Sequence, residues 1–326
     1  SSKCPVQELQ MVTQKGENTH VAAIHGNFDD AQTGVKKIFG DREFARELDE
    51  KGFQLSSANS INIGRLVPQI VYYVYAYGRL LKNQEIADGE MINVTVPTGN
   101  FGNILAAYLA GQMGVPISKL ICASNDNKVL YDFFRTGTYD RNRSFILTSS
   151  PSMDILISSN LERLIYLSAG GDGKASGALM KELSETGRYT VTGEMKKFME
   201  DFCGGFATEE ENKAEISRIF KDTGYLIDTH TGVAAAVYKK YRAETKDKTK
   251  NVIASTASPY KFSRSVMEAI GPEQKEGDEF EIIDRLSKIS GTDIPDAVEE
   301  IRTAAVRHTA ECDVDKMKET AVSFLR

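Results

Sequence analysis

Short apolar runs alternate along this chain with longer stretches whose apolar positions recur every three or four residues, the pattern of strands alternating with helices. The runs are Val21-Ala22-Ala23-Ile24, Phe53 to Ser57, Met91 to Val96, Leu120-Ile121-Cys122-Ala123 and Asn251-Val252-Ile253-Ala254. Between them the spacing predicts helices from Ala31 to about Glu50, with Asp29 as N-cap and Gly52 as the stop, and from Leu66 or Val67 to Leu81, with Pro68 in the first turn. Further helices are expected over Ile104 to Ala110, Asn125 to Phe134, Met195 to Phe202 and Glu209 to Phe220, and Arg242 to Lys250 reads as a polar linker. From Asp284 to Arg326 charged and apolar residues alternate as in packed surface helices. This rhythm implies an α/β fold, a mostly parallel sheet with helices on both faces. In such sheets ligands sit beyond the carboxyl ends of the strands. Polar clusters at Ser56 to Asn62, Pro97 to Asn103 and Ser255 to Ser258 are expected there.

The second cluster carries the most chemistry. Pro97-Thr98-Gly99-Asn100-Phe101-Gly102-Asn103 joins an apolar strand to a helix that opens inside the turn. The first turn of a helix leaves its N–H groups without intrahelical partners, and the helix dipole adds partial positive charge, so a phosphate monoester can be held by main-chain amides alone. Gly99 and Gly102 are expected to supply positive φ and a close backbone approach, and Asn100 and Asn103 to add side-chain amides. The loop is neither a Walker sequence nor the dinucleotide fingerprint. A plain strand-to-helix turn is the competing reading of an isolated Gly-x-x-Gly.

At 326 residues and 41% hydrophobic content the chain can bury a large core, as two lobes or as one large α/β domain with an elaboration. A formal net charge of −6 argues against nucleic acid or an anionic membrane as partner. Cys4, Cys122, Cys203 and Cys312 lie far apart, which fits a reducing compartment and neither a zinc site nor a disulfide frame. His20, His25, His230 and His308 are equally scattered, so metal catalysis has little support. With no apolar run long enough to span a bilayer, a cytoplasmic location is expected.

Several words in order carry a family resemblance: Gly26-Asn27-Phe28-Asp29-Asp30, Ala58-Asn59-Ser60-Ile61-Asn62-Ile63-Gly64-Arg65, the loop at 97–103, Pro151-Ser152-Met153-Asp154-Ile155, Ser158-Ser159-Asn160-Leu161-Glu162-Arg163, and Ser255-Thr256-Ala257 ahead of Lys261-Phe262. Through them nearly the whole chain resembles threonine synthase, a pyridoxal 5'-phosphate (PLP) lyase of fold type II, the tryptophan synthase β-like fold. The family converts O-phospho-L-homoserine and water to L-threonine and phosphate. The resemblance implies that Gly99, Asn100, Phe101, Gly102 and Asn103 clamp the cofactor phosphate and that Thr256 meets the pyridine nitrogen. A hydroxyl there, unlike a carboxylate, leaves that nitrogen largely unprotonated. It further suggests Ser60, Asn62 and Arg65 as a seat for the substrate phosphate, where a forked guanidinium and short donors suit a dianion. A solvated Arg with N-capping Ser and Asn accounts for those three residues equally well, and without the resemblance a turn-capping hydroxyl would be the better reading of Thr256. Residues 1–52 are expected to be the remainder of the smaller, cofactor-flanking domain, and residues 53–326 the large PLP-binding domain with a helical C-terminal elaboration. Monomer and homodimer both remain open.

The chain departs from the family pattern in places. Ser258 stands where a histidine is usual after Ser-Thr-Ala, and Thr229 replaces the proline of Asp-Pro-His-Thr within Asp228-Thr229-His230-Thr231. More consequential, the Schiff-base lysine in its Phe-Lys-Asp context is absent, and Pro5 to Met11 matches a segment from the middle of the family sequence. The expectation is a fragment without its N-terminal part, with no catalytic residue of its own; a non-catalytic phosphate- or PLP-binding remnant, or an interaction module, is the alternative. Gly99→Asp is expected to abolish PLP phosphate binding while leaving the fold intact. Gly170-Gly171-Asp172-Gly173-Lys174 lacks the preceding strand of a phosphate loop and reads as a helix-ending linker.

Overall fold

The computed structural model describes residues 5–26, 28–58 and 62–325. Among these the strands are β1 (Ala22–Ile24), β2 (Ile92–Pro97), β3 (Ile117–Ser124), β4 (Thr138–Asp140), β5 (Arg188–Thr190), β6 (Phe202–Phe206), β7 (Lys250–Ile253) and β8 (Ala310–Cys312). The chain divides into two compact units, one of residues 58–277 and one that combines residues 1–57 with residues 278–326. The C-terminal elaboration expected on the large domain thus groups with the N-terminal segment, because β8 pairs in parallel with β1.

In the larger unit β6, β3, β2 and β7 form, in that order, a wholly parallel sheet. Alternation along its strands serves two cores, as a sheet covered on both faces requires. Val94, Val96, Leu120 and Cys122 belong to a core shared with Phe101, Ile104, Leu105 and Leu164, while Ile121 and Ala123 join Val233, Ala234 and Val237 of the helix Thr229–Thr245 in a second. The polar members of β2 are fully buried but satisfied: Asn93 Nδ2 donates to Asp247 at 2.7 Å, and the Thr95 hydroxyl donates to Asn251 Oδ1 at 2.9 Å. β4 and β5 form a separate antiparallel pair.

Several expectations change. Phe53 to Ser57 forms no strand, so the cluster at Ser56 to Asn62 follows no strand end. Its residues 59–61 lie outside the described residues. The helix expected over Ala31 to Glu50 is two helices, Phe28–Gly40 and Arg42–Glu50. The break comes from Asp41, whose carboxylate accepts the Phe44 N–H at 2.9 Å and N-caps the second helix; Asp29 lies inside the first rather than capping it. The helix expected to end at Phe202 stops at Phe198, and Phe202 begins β6 instead. The polar linker begins only after Thr245, where the helix Thr229–Thr245 ends. Gly170 and Gly171, at φ +67° and +82°, do end a helix, and Asp172 caps the next with two accepted amides.

In the smaller unit His25 bridges the strand pair. Its Nδ1 lies 2.9 Å from Asp313 Oδ1 and its Nε2 lies 3.2 Å from Glu311 Oε2. These hydrogen bonds, that to Asp313 foremost, raise the imidazole above its ordinary pKa. Because the folded state favours the protonated form, the contribution is fully present below the ordinary histidine value and is lost as pH rises through the raised one. All three side chains are more than half exposed, so the effect is small. Thermal melts are expected to show a modest loss of stability as pH rises above the ordinary histidine value that His25→Asn removes; an identical pH profile in the variant would contradict the assignment.

Candidate functional site

The carboxyl end of β2 runs into the turn at 98–101 and then into the helix Gly102–Gln112. Neither Gly99 nor Gly102 has a positive φ; the left-handed residue is Phe101, at φ 67° and ψ −2°. For a non-glycine residue this conformation costs about 1–2 kcal/mol. Burial of the Phe101 ring offsets it: the ring is 1% exposed and lies 5.7 Å from Phe202 and 6.0 Å from Phe134 between ring centres. Gly99 is required for a different reason. A Cβ on it would stand 2.3 Å from the Ser152 carbonyl oxygen.

The loop's polar groups divide by type. Its carbonyls face back into the protein: that of Gly99 accepts the Ser158 hydroxyl at 2.7 Å, that of Asn100 accepts the main-chain and side-chain N–H groups of Asn160 at 3.1 and 3.0 Å, and that of Phe101 accepts Leu105 N–H at 3.1 Å. Thr98 N–H still belongs to the sheet, donating to Ala123 at 2.8 Å. Among the described residues, none of the main-chain N–H groups of residues 99–103 has a hydrogen-bond partner. Five successive donors around a helix start, three of these residues only half-buried, form an arrangement suited to an anion. Asn103 Oδ1 accepts the hydroxyl of buried Tyr73, which turns its Nδ2 away from that contact as a donor. Burial raises the Tyr73 phenol well above its ordinary pKa, so it stays a proton donor here.

Next to β2 lies the end of β7. The ladder between them closes with Ala254 N–H donating to the Thr95 carbonyl at 2.9 Å, and the turn at 255–258 follows. Thr256 is exposed on this turn, and its hydroxyl has no hydrogen bond among the described residues. Ser258 caps the short helix Pro259–Phe262, accepting Tyr260 N–H at 3.3 Å. Ser258 thus does the work of a cap where the family usually has histidine. The 97–103 loop and the 255–258 turn therefore share one end of the parallel sheet.

Of the three residues suggested for the substrate phosphate, Ser60 lies outside the described residues. Asn62 N-caps the helix Ile63–Leu66, its Oδ1 accepting Gly64 N–H at 2.9 Å, and exposed Arg65 donates to the Ala58 carbonyl. That helix packs on the helix Gly102–Gln112, with Leu66 fully buried in the core that contains Phe101. Sequence reasoning assigned no role to Ser152, Ser158, Asn160 or the Asp228–Thr231 segment, though all lie in the words that carried the resemblance or its departures. The signal was there in Asp228: a carboxylate ahead of a small-residue helix is an N-cap, and it accepts the N–H groups of His230 and Thr231.

A parallel sheet covered on both faces, with an amide-lined turn opening a helix beyond one strand, is the arrangement of the phosphate-binding α/β folds, among them fold type II PLP enzymes, the class of the solved structures this chain matches. A family profile described as "Threonine synthase, C-terminal" matches residues 231–310. The human protein "Threonine synthase-like 1" is 43% identical over 268 residues, 81% of this chain and 36% of its own length. Threonine synthase of Saccharomyces cerevisiae is 37% identical over 284 residues, 82% of this chain and 53% of its own. Among solved structures, PLP-bound threonine synthase from Brucella melitensis is 33% identical with a TM-score of 0.80 over 99% of this chain and 63% of that one, and the yeast enzyme is 30% identical with a TM-score of 0.80 over 98% and 62%. Over most of its length the chain is similar to threonine synthases, and its residues 231–310 match the C-terminal family profile. It spans between about a third and a half of the curated relatives it matches.

Proposed function

We propose that residues 99–103 bind the phosphate of PLP, and that the protein to which this chain belongs converts O-phospho-L-homoserine and water to L-threonine and phosphate. The observation that carries the reading is the division of the loop, with every carbonyl of residues 99–101 accepting a hydrogen bond from the protein and the five amides of residues 99–103 unpaired among the described residues. When bound, PLP supplies an electron sink that makes substrate carbon acids ionisable. The residues of this chain supply binding and orientation. The amides at 99–103 hold the monoester without a counter-cation, which suits a loop that carries no lysine or arginine. The Thr256 hydroxyl, on the adjacent turn, meets the ring nitrogen as a neutral partner. Arg65, with Ser60 and Asn62, receives the phosphate of the substrate, the forked guanidinium matching two of its oxygens. The acid–base lysine is not among the roles proposed for this chain.

Binding tests the reading directly. In titrations followed by absorbance and by the ³¹P resonance, the chain is expected to take up PLP but not pyridoxal, which lacks the phosphate, and inorganic phosphate is expected to compete. Asn100→Asp keeps the side-chain volume and puts a carboxylate at the helix start, where it stabilises the helix but repels the dianion. Affinity for PLP is expected to fall at least about tenfold, the equivalent of about 1.4 kcal/mol, with an unchanged or higher melting temperature. Equal uptake of PLP and pyridoxal would sink the assignment.

A further inference from the structure

We propose that His230 is a positioning residue, the centre of a buried hydrogen-bond relay that fixes the 99–103 loop and the Ser255–Ala257 turn relative to one another. What the relay does for the coenzyme rests on the function proposed above; the relay itself rests on geometry. At one end the Ser152 carbonyl backs Gly99 so closely that a methyl group cannot stand between them. The Ser152 N–H donates to His230 Nε2 at 3.2 Å. That nitrogen must present a lone pair, so the ring proton sits on Nδ1, which lies 3.1 Å from Asp228 Oδ1. The other carboxylate oxygen of Asp228 takes the Thr231 hydroxyl proton. Thr231 Oγ1 also donates to Ser255 Oγ at 3.2 Å, its one proton divided between that acceptor and Asp228.

Asp228, His230 and Thr231 are 1%, 3% and 6% exposed, so the polar groups at the centre of the relay are held to their partners by the penalty of leaving them unpaired in the interior, while its ends at Ser152 and Ser255 are exposed. Phe262 packs on the imidazole at 4.8 Å between ring centres and limits its tilt. The sheet does not do this work. Between β2 and β7 the ladder ends with Ala254 N–H on the Thr95 carbonyl, four residues before Gly99 and two before Thr256. Beyond that point a hydrogen-bonded route from one segment to the other passes through His230. Its donor faces the helix cap and its acceptor faces the loop backing. A ring with its two nitrogens on opposite sides can join both, which Asn or Gln at this place can do only at one end.

Two cuts test the relay. His230→Asn keeps an amide donor toward Asp228 but is too short to reach Ser152; Ser255→Ala removes the far end at an exposed position where the fold tolerates it. Hydrogen–deuterium exchange is read in peptides covering 98–103 and 254–258, without added ligand. Each cut is expected to speed exchange about tenfold in both segments, and His230→Gln, whose amide can stand where Nε2 stands but leaves Asp228 unjoined, to do the same. A cut that loosens only the segment nearest to it overturns the relay. Should His230→Asn fail to fold by circular dichroism, Ser255→Ala alone decides, through the exchange of 98–103. PLP titration of the same proteins separates the two readings: wild-type protein that binds no PLP while both segments respond refutes the coenzyme assignment and leaves the relay standing. Exchange and PLP affinity unchanged in both variants overturn the relay and leave the coenzyme assignment standing.

Discussion

Gly99→Ala is expected to weaken PLP binding at least about tenfold and to lower the melting temperature, although the substitution adds one methyl group at a position with an ordinary backbone conformation. The added carbon would lie 2.3 Å from the Ser152 carbonyl oxygen, and the nearest atoms around it are all main chain. No side chain can rotate aside, so the 151–153 turn or the loop itself must move by about an ångström. Overpacking of this kind costs typically 1–3 kcal/mol, and in a unit of this size each kcal/mol lowers the melting temperature by about 2–4 °C. The loop carries the larger consequence, since a shift of this size misaims every amide from 99 to 103 together. Gly99→Asp, expected from the sequence to leave the fold intact, meets the same carbonyl first and so destabilises before its charge matters. Melting curves and PLP titrations of Gly99→Ala check this; wild-type affinity and stability in the variant would remove Ser152 from behind the loop.

That contact marks where sequence reasoning stopped. Residues near in sequence were read well: the apolar run of β2, the helix opening inside the Gly-x-x-Gly turn and the return of a strand at 250–253 all follow from local periodicity. The family words located the cluster. Contacts across long separations were not legible, because no periodicity records that Ser152 backs Gly99 or that His230 reaches Ser152. Local signals also failed where a tertiary context overrode them. Phe202-Cys203-Gly204-Gly205-Phe206 is a poor strand by propensity, yet its glycines let neighbours come close: a Cβ on Gly205 would lie 2.4 Å from Val237 Cγ1, and one on Gly204 3.1 Å from the Tyr131 Cα. Phe53 to Ser57 had the reverse problem, with apolar spacing and no partner strand. The glycines of the 97–103 loop are expected to supply a left-handed turn that falls instead on Phe101, where aromatic packing holds it.

Asp154→Ala is expected to be the most destabilising single change in the larger unit. Asp154 is 7% exposed, and its carboxylate accepts Asn125 Nδ2 at 2.8 Å, Asn127 Nδ2 at 3.1 Å, Thr148 N–H at 2.9 Å and the Thr148 hydroxyl at 2.7 Å. No salt bridge to it is found among the described residues, so hydrogen bonds alone compensate the buried carboxylate. The same network explains why the helix expected from Asn125 begins only at Val129: the Asn125 and Asn127 side chains are drawn inward to Asp154 instead of starting a helical turn. Removing the carboxylate leaves Thr148 N–H with no acceptor and deprives both asparagines of one, and with four hydrogen bonds lost at about 1 kcal/mol each the loss is on the order of 4 kcal/mol. Urea denaturation measures it, with a lower midpoint at an unchanged slope expected. Because Ser152 lies in the turn that Asp154 closes, with Asp154 N–H on the Pro151 carbonyl at 3.1 Å, the variant is also expected to lose affinity for PLP in the fraction that stays folded. A full loss of stability with wild-type PLP affinity would show that the 148–154 loop stabilises the fold without shaping the amides in front of it.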